Sequence, residues 1–135
     1  MSEDSRIAVV KQMVHAWNIR DWKQVGELFA EDGVLHSMMI EPVKGRAAIS
    51  ARIEALGAGI DSITLHLRNI GVVGDVVVIE RIDDFVYNGH SGKVPVVGIL
   101  TVSGDRVTEW REYYDRAQLL GEMGVAPRPD HSPAH

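Results

Sequence analysis

Charged side chains occupy alternating positions in two apolar stretches of this sequence. One stretch contains Arg81 and Asp83. A later stretch contains Glu112 between Trp110 and Tyr114. Residues two apart in a strand point to the same face, so Arg81 and Asp83 share a face, and Glu112 shares a face with the two aromatic residues. Burying charge costs free energy, and charged groups are rarely placed in apolar surroundings for packing alone. The pattern therefore predicts acid–base chemistry.

The chain as a whole is small, apolar and mildly acidic. It has 135 residues, of which 45% are hydrophobic, and a net charge of −5 with acids and bases interspersed. This composition predicts one globular domain over residues 1–125, followed by a disordered tail over 126–135. No basic stripe indicates nucleic-acid binding, and no apolar run is long enough to cross a membrane. The absence of cysteine excludes thiol catalysis, and together with the missing signal segment it favours a cytoplasmic location.

The order of elements predicts an α+β fold. Three helices are expected in the first half of the chain. The first begins after Ser2 or Asp4, the second begins after Asp21, and the third ends at the glycines near Gly57. Between the second and third helix, a turn at Asp32-Gly33 leads into a strand from Val34 to Ile40. Four β-rich segments follow, separated by polar–glycine turns: Ser62–Ile70, Val76–Tyr87, Lys93–Val102 and Arg106–Tyr114. A short helix over Ala117–Met123 closes the chain. We expect a curved, mixed but mainly antiparallel sheet that forms a cone, with the N-terminal helices over its concave face.

The long strands are apolar on both faces, so both faces of the sheet are expected to be covered. The helices would cover one face, and a second copy of the chain would cover the other, which predicts a homodimer. In the segment Val76–Tyr87, Arg81 and Asp83 lie on one face and Glu80 and Asp84 on the other. Each face mixes charged and apolar residues, so periodicity alone does not say which of them is concave.

The sequence resembles the limonene-1,2-epoxide hydrolase family, within the SnoaL-like and nuclear-transport-factor-two-like superfamily of cone-shaped α+β folds. The resemblance runs from about Met13 to Leu120. It is carried by four segments in the expected order: Phe29-Ala30-Glu31-Asp32, Gly45-Arg46, Glu80-Arg81-x-Asp83 and Trp110-Arg111-x-Tyr113-x-Asp115. The resemblance implies that Arg81 and Asp83 lie on the concave face.

By this resemblance the protein opens a small hydrophobic epoxide without a metal or cofactor. Asp83 would protonate the epoxide oxygen, Arg81 would bridge the two carboxyl groups, and Glu112 would take a proton from the attacking water. The family has an aspartate where this chain has Glu112. Water is a poor nucleophile and an alkoxide a poor leaving group, so an acid and a base should act together. Two carboxyl groups in one apolar pocket push each other's pKa values apart, which leaves one protonated and one charged.

The water site departs from the family pattern. The tyrosine and asparagine that orient the water in the family correspond here to Leu35 and Ser37. Ser37 can still form a hydrogen bond, whereas Leu35 cannot. We expect the substrate or its water to contact these two residues and four others: Phe85, Val96, Trp110 and Tyr114.

Three functions stay open at this point. The first is epoxide opening, by water or by a hydroxyl of the substrate. The second is another acid–base reaction, as in a SnoaL-like polyketide cyclase, an isomerase or a dehydratase. A ketosteroid isomerase is disfavoured because its general-base aspartate falls near Ser37 and its oxyanion tyrosine near Met13. The third is a non-catalytic domain that binds a small ligand. A buried ion-pair network that only fixes strand register is the structural alternative for Arg81, Asp83 and Glu112.

Overall fold

The computed structural model describes residues 2–125, in which one six-stranded sheet is covered by helices. The elements in chain order are α1 (Glu3–Asn18), α2 (Trp22–Glu27), β1 (Phe29–Ser37), β2 (Val43–Lys44), α3 (Arg46–Gly57), β3 (Ile60–Val73), β4 (Val76–Tyr87), β5 (His90–Ser103), β6 (Arg106–Tyr113) and α4 (Arg116–Glu122). The strand order is β2-β1-β6-β5-β4-β3. Strand β1 runs parallel to β6, and the other neighbouring strands are antiparallel. The expected α+β fold with a mainly antiparallel curved sheet is confirmed.

Polar side chains start the first two helices where the sequence predicts them. The Ser2 hydroxyl accepts a hydrogen bond from the Ser5 amide at 3.0 Å, and the Asp21 carboxylate accepts one from the Gln24 amide at 3.1 Å. Each bond satisfies an amide that the helix itself leaves unpaired. Helix α3 has no side-chain cap and begins after Gly45, whose φ of +91° favours glycine.

Helix α1 packs its apolar stripe against the concave face of the sheet. Val10 and Met13 are fully buried and belong to one core cluster with Ile79 of β4 and Leu100 of β5. Burial of such side chains contributes about 1.5–3 kcal/mol each. This contact fixes the first helix over the strands that carry the charged residues.

The alternation along β4 identifies its concave face. Val77, Ile79, Arg81 and Phe85 are buried, whereas Glu80 is exposed. The odd-numbered residues therefore face the core under the helices. The face that the resemblance implied is the concave one.

The first strand differs from the prediction. Strand β1 begins at Phe29 and ends at Ser37, instead of running from Val34 to Ile40. Its pairing with β6 shifts between Phe29 and Val34, so Asp32-Gly33 lies in a bulged part of the strand and not in a turn before it. An aspartate–glycine pair suits both conformations, and only the distant partner strand distinguishes them.

The other strands match the prediction apart from their ends. Strand β4 has the predicted bounds, and at the next turn Asn88 and Gly89 both have positive φ, 46° and 83°. A two-residue turn of this kind matches the twist of a hairpin. The two-residue strand β2 was not predicted, and β3 and β5 extend further at both ends than predicted. Within residues 2–125 no helix is long and apolar enough to cross a membrane. The predicted tail, 126–135, lies outside the described residues.

Candidate active site

A cavity of about 380 Å³ lies between the concave face of the sheet and helices α3 and α4. This volume is at the lower end of the range for small-molecule sites, and most of the lining is apolar. All nine residues expected from the sequence line it: Leu35, Ser37, Arg81, Asp83, Phe85, Val96, Trp110, Glu112 and Tyr114. In the part of the chain that the structure describes, no three His, Cys, Asp or Glu side chains are grouped to hold a metal ion.

The Arg81 guanidinium holds both carboxylates. Its side chain is 4% exposed, against 17% for Asp83 and 12% for Glu112. Nε donates to Asp83 Oδ1 at 2.7 Å, and Nη2 donates to Asp83 Oδ2 at 3.0 Å. Nη1 donates to Glu112 Oε2 at 2.9 Å, and Nη2 also donates to Glu112 Oε1. Paired hydrogen bonds of this kind fix the plane of each carboxylate as well as its position.

The Trp110 indole gives Glu112 a further donor. Its Nε1 donates to Glu112 Oε2 at 2.7 Å, and its ring centroid lies 5.7 Å from Cζ of Arg81. The second contact is within the range of a cation–π interaction. Trp110 is therefore more than a packing residue, because it orients one carboxylate and contacts the cation.

Burial raises the pKa of Glu112 above its usual value. The charge and hydrogen bonds of Arg81 act in the opposite direction, and the nearby Asp83 carboxylate adds to the rise. Burial also disfavours the charge on Arg81, but the two carboxylates outweigh this effect and raise the pKa of Arg81, so its guanidinium stays charged. A raised pKa makes Glu112 a stronger base when it is ionised, and it also makes the neutral form of Glu112 more populated at a given pH.

The raised pKa of Glu112 is expected to appear in the pH dependence of stability. The folded protein holds this proton more tightly than the unfolded chain. Its contribution to stability is therefore fully present below the ordinary pKa of 4.5 and is lost as the pH rises through the raised pKa. We expect the unfolding free energy of the wild type relative to Glu112→Gln to fall as the pH rises from 4.5 toward neutrality. Urea unfolding at a series of pH values measures this difference. The control is Glu109→Gln, because Glu109 lies on the outer face of the sheet. A difference in unfolding free energy between the wild type and Glu112→Gln that does not change with pH would contradict the expectation.

Gly98 of β5 makes room for the Arg81–Glu112 pair, a role that was not predicted from the sequence. It lies opposite Ile79 of β4 and Glu112 of β6. A Cβ at this position would lie 2.7 Å from Glu112 Oε2 and 3.0 Å from Arg81 Nη1, closer than ordinary contacts allow. A single glycine inside an apolar strand often marks such a close approach. The position of Gly98 within an apolar stretch is therefore the sequence feature from which this role could have been predicted.

We expect Gly98→Ala to displace the Glu112 carboxylate and to lower the unfolding free energy by about 1–3 kcal/mol. Glu112→Asp withdraws the carboxylate by one methylene, so the double variant should lose less than the sum of the two single variants. A double-mutant cycle by urea unfolding measures this coupling. Gly71→Ala is the control, because a Cβ there would meet no atom within 4 Å. Additive losses in the cycle would contradict a steric role for Gly98.

Tyr114 and Ser37 form a pair of hydroxyl groups beside Glu112. The Tyr114 hydroxyl donates to Ser37 Oγ at 3.0 Å, and Ser37 is the partner of Glu112 in the parallel pairing of β1 with β6. Accepting this bond leaves the Ser37 hydroxyl proton available for another acceptor. Leu35, opposite Trp110 in the same register, contributes only apolar surface. Tyr114 is in the lining, as the sequence predicts, but its bond to Ser37 was not predicted.

Phe85 and Val96 complete the cavity wall. Together with Val94 they form a second cluster of buried residues. Leu119 of α4 and Met123, the residue that follows α4, pack against this cluster. Helix α4 therefore forms part of the cavity wall next to these residues.

The SnoaL-like domain profile matches residues 10–110, most of the chain. Solved structures with the same fold carry several different names. An LEH-like epoxide hydrolase from M. tuberculosis is 20% identical, with a TM-score of 0.79 over 90% of each chain. A hypothetical protein with a ketosteroid isomerase-like fold from Catenulispora acidiphila, in complex with trimethylamine, is 25% identical, with a TM-score of 0.77 over 87% of this chain and 92% of that one. A candidate SnoaL-like polyketide cyclase from Shewanella putrefaciens is 16% identical, with a TM-score of 0.78 over 88% and 96% of the two chains.

These similarities confirm the cone-shaped α+β fold and the superfamily expected from the sequence. They do not favour the limonene-1,2-epoxide hydrolases over the other branches, because the epoxide hydrolase and the candidate cyclase are about equally similar in fold. The match of the profile to residues 10–110 decides the family. This chain belongs to the SnoaL-like domain family.

Proposed function

We propose that this protein opens a small hydrophobic epoxide by acid–base catalysis without a cofactor. The supporting observation is the buried Arg81 guanidinium, which holds Asp83 and Glu112 at the wall of an apolar cavity. Asp83 gives its proton to the epoxide oxygen as the C–O bond breaks. Glu112 takes a proton from the attacking oxygen as the new C–O bond forms, and the product is a diol when water attacks.

Charge balance at Arg81 supports this mechanism. As the reaction proceeds, Asp83 becomes charged and Glu112 becomes neutral, so the summed charge of the two carboxyl groups beside Arg81 does not change. A buried site disfavours any net change of charge, because the surroundings cannot reorient as water does. The shared guanidinium contacts both carboxyl groups before and after the proton transfers, and therefore needs no rearrangement.

The hydroxyl groups beside Glu112 support water as the nucleophile. Ser37 accepts its hydrogen bond from Tyr114 and can donate its own proton to a water next to Glu112. The Tyr114–Ser37 pair thereby supplies a polar contact where Leu35 supplies none. In this proposal, Tyr114 acts through Ser37 to orient the water that Glu112 deprotonates.

A second candidate is proton transfer on a carbonyl substrate, as in a polyketide cyclase, an isomerase or a dehydratase. It is favoured by the hydrogen bonds to Glu112 Oε2, which already accepts from Arg81 and from the Trp110 indole. These bonds leave less of the carboxylate for a water than an exposed carboxylate would offer. Asp83 or Glu112 could then remove a proton next to the carbonyl group without any captured water.

The first test is turnover by the wild-type protein. We expect diol formation from at least one of limonene-1,2-epoxide, cyclohexene oxide and styrene oxide, with one oxygen of the diol derived from ¹⁸O-labelled water. Chiral gas chromatography with mass detection measures both results. Turnover of a β-keto ester without turnover of any epoxide would favour the second candidate. A ligand-dependent rise in Tm without any turnover would instead indicate a binding domain.

We also infer that the outer face of the sheet pairs with a second copy of the chain. Val97 is 37% and Tyr113 is 41% exposed, and the two are cross-strand partners on β5 and β6. Ile82 and Pro95 form the next cross-strand pair on this face. Exposed apolar residues grouped in this way are typical of an interface, and the exposed Glu80, the β4 partner of Val97, lies among them. Sedimentation velocity is expected to give a dimer for the wild type and a monomer for Val97→Lys, and a monomeric wild type would contradict the inference.

A further inference from the structure

The cavity lining contains two arginines besides Arg81. Arg52 lies on α3 and Arg116 is the first residue of α4. Arg52 is exposed and Arg116 is half-buried, whereas Arg81 is buried. The two additional arginines therefore lie on the solvent side of the cavity, and Arg81 lies deep within it.

The helical repeat sets Arg116 toward the cavity. The lining residues of α4 and its C-cap follow a spacing of three and four: Arg116, Leu119, Leu120 and the C-cap Met123. Residues at this spacing form one stripe on a helix. Helix α3 contributes Arg52 together with Ile53 and Leu56 from one stripe of its own. Each helix thus presents an apolar stripe with one arginine.

These two positive charges are not balanced within the cavity. Among residues 2–125, the lining contains two carboxylates, Asp83 and Glu112, and both are held by Arg81. Within residues 2–125, neither Arg52 nor Arg116 forms an ion pair with an Asp or Glu side chain. The chain as a whole has a net charge of −5, so a cavity with more arginines than carboxylates is a local exception. The potential at its solvent side favours an anion.

We infer that the ligand is an amphipathic carboxylate, with an apolar body in the cavity and its carboxylate between Arg52 and Arg116. A guanidinium pairs with a carboxylate through two parallel hydrogen bonds, and the apolar stripes of α3 and α4 suit a hydrocarbon chain. The identity of the reacting group at the deep end, an epoxide, rests on the proposed function. The preference for a carboxylate does not rest on it.

Binding of unreactive probes tests this preference. At low ionic strength, we expect octanoate to bind about five- to tenfold more tightly than octanamide or octylamine. This is the contribution expected of two partly exposed ion pairs, one with Arg52 and one with Arg116. Arg52→Gln and Arg116→Gln should each reduce octanoate affinity about two- to threefold, while octanamide affinity stays the same and shows that the fold is intact. Added salt should weaken only octanoate binding. Arg68→Gln, an exposed arginine of β3 outside the lining, is the control.

Two binding results would overturn the inference. Equal affinity for octanoate and octanamide would mean that the arginine stems only cover the apolar rim. An Arg68→Gln variant that loses as much octanoate affinity as Arg52→Gln would mean a general charge effect. Isothermal titration calorimetry gives these affinities.

Turnover then separates the two proposals. If both hold, 7,8-epoxyoctanoate should have a lower KM than 7,8-epoxyoctanamide at a similar kcat, and Arg116→Gln should reduce this difference about two- to threefold. A preference for octanoate without opening of either epoxide supports the carboxylate inference and contradicts epoxide opening. Opening of both epoxides with equal KM contradicts the carboxylate inference and supports epoxide opening.

Discussion

Asp83→Asn is expected to lower kcat for epoxide opening by about 10²–10⁴-fold, the usual contribution of a positioned acid. Asparagine has nearly the same shape as aspartate and can still contact Arg81, but it has no acidic proton to give to the leaving oxygen. KM should change little, because the apolar wall that binds the substrate is unaltered. Initial rates on the best epoxide of the panel measure the loss. A variant that keeps more than a tenth of the wild-type kcat would contradict the role of Asp83 as the acid.

Asp84→Asn is the matched control for this variant. Asp84 is the next residue of β4 and points to the opposite face, where its carboxylate lies 3.7 Å from His66. The same chemical change on the outer face should leave kcat within about twofold of the wild type. Tm values of both variants belong to the experiment. A large loss of rate in Asp83→Asn with an unchanged Tm separates a catalytic role from a network that only fixes strand register.

Arg81→Met is expected to lower the unfolding free energy by about 3–5 kcal/mol at neutral pH. Removal of the guanidinium leaves the buried carboxyl groups of Asp83 and Glu112 without a cation beside them. Mutual repulsion and desolvation then favour protonation of these groups or local opening of the strands. Urea unfolding measures the loss. The matched control is Arg111→Met, because Arg111 pairs with Glu109 on the outer face and should contribute only about 0–1 kcal/mol.

Two further measurements identify the physical cause of that loss. Acidification should reduce the stability difference between Arg81→Met and the wild type, because Asp83 and Glu112, which have no cation beside them in the variant, become neutral. The triple variant Arg81→Met/Asp83→Val/Glu112→Leu removes all three charges and should recover most of the lost stability. A triple variant as unstable as Arg81→Met would mean that packing of the arginine stem, and not its charge, is what β4 requires.

Local signals were sufficient to predict β4, and insufficient for β1. The turns at Gly74-Asp75 and Asn88-Gly89 mark both ends of β4, and a hairpin needs no distant information. Strand β1 is defined by its parallel pairing with β6, far along the chain. An Asp32-Gly33 pair reads as a turn until that partner is known, and the pairing shows it to be a bulge.

The charged residues of the candidate site were predictable from the sequence, but the contacts around them were not. Alternation within one strand predicts that Arg81 and Asp83 share a face, and the resemblance adds Glu112. The contacts that complete the site depend on the register between strands and were not predictable. They are the Trp110 bond to Glu112, the Tyr114 bond to Ser37, and the space at Gly98. The sequence pattern of one strand does not reveal its register against the neighbouring strands, and the register of β1, β5 and β6 produces these contacts.

The parallel pairing of β1 with β6 makes the site a late product of synthesis on the ribosome. The hydroxyl groups of Ser37 and Tyr114 belong to residues 77 positions apart, and closing so long a loop carries a large entropic cost. A nascent chain whose last strand is still in the exit tunnel has Arg81 with Asp83 but lacks Glu112. Truncation before β6 therefore removes Glu112 and leaves Arg81 with Asp83 alone, so the charged set is complete only in chains that have been translated through that strand.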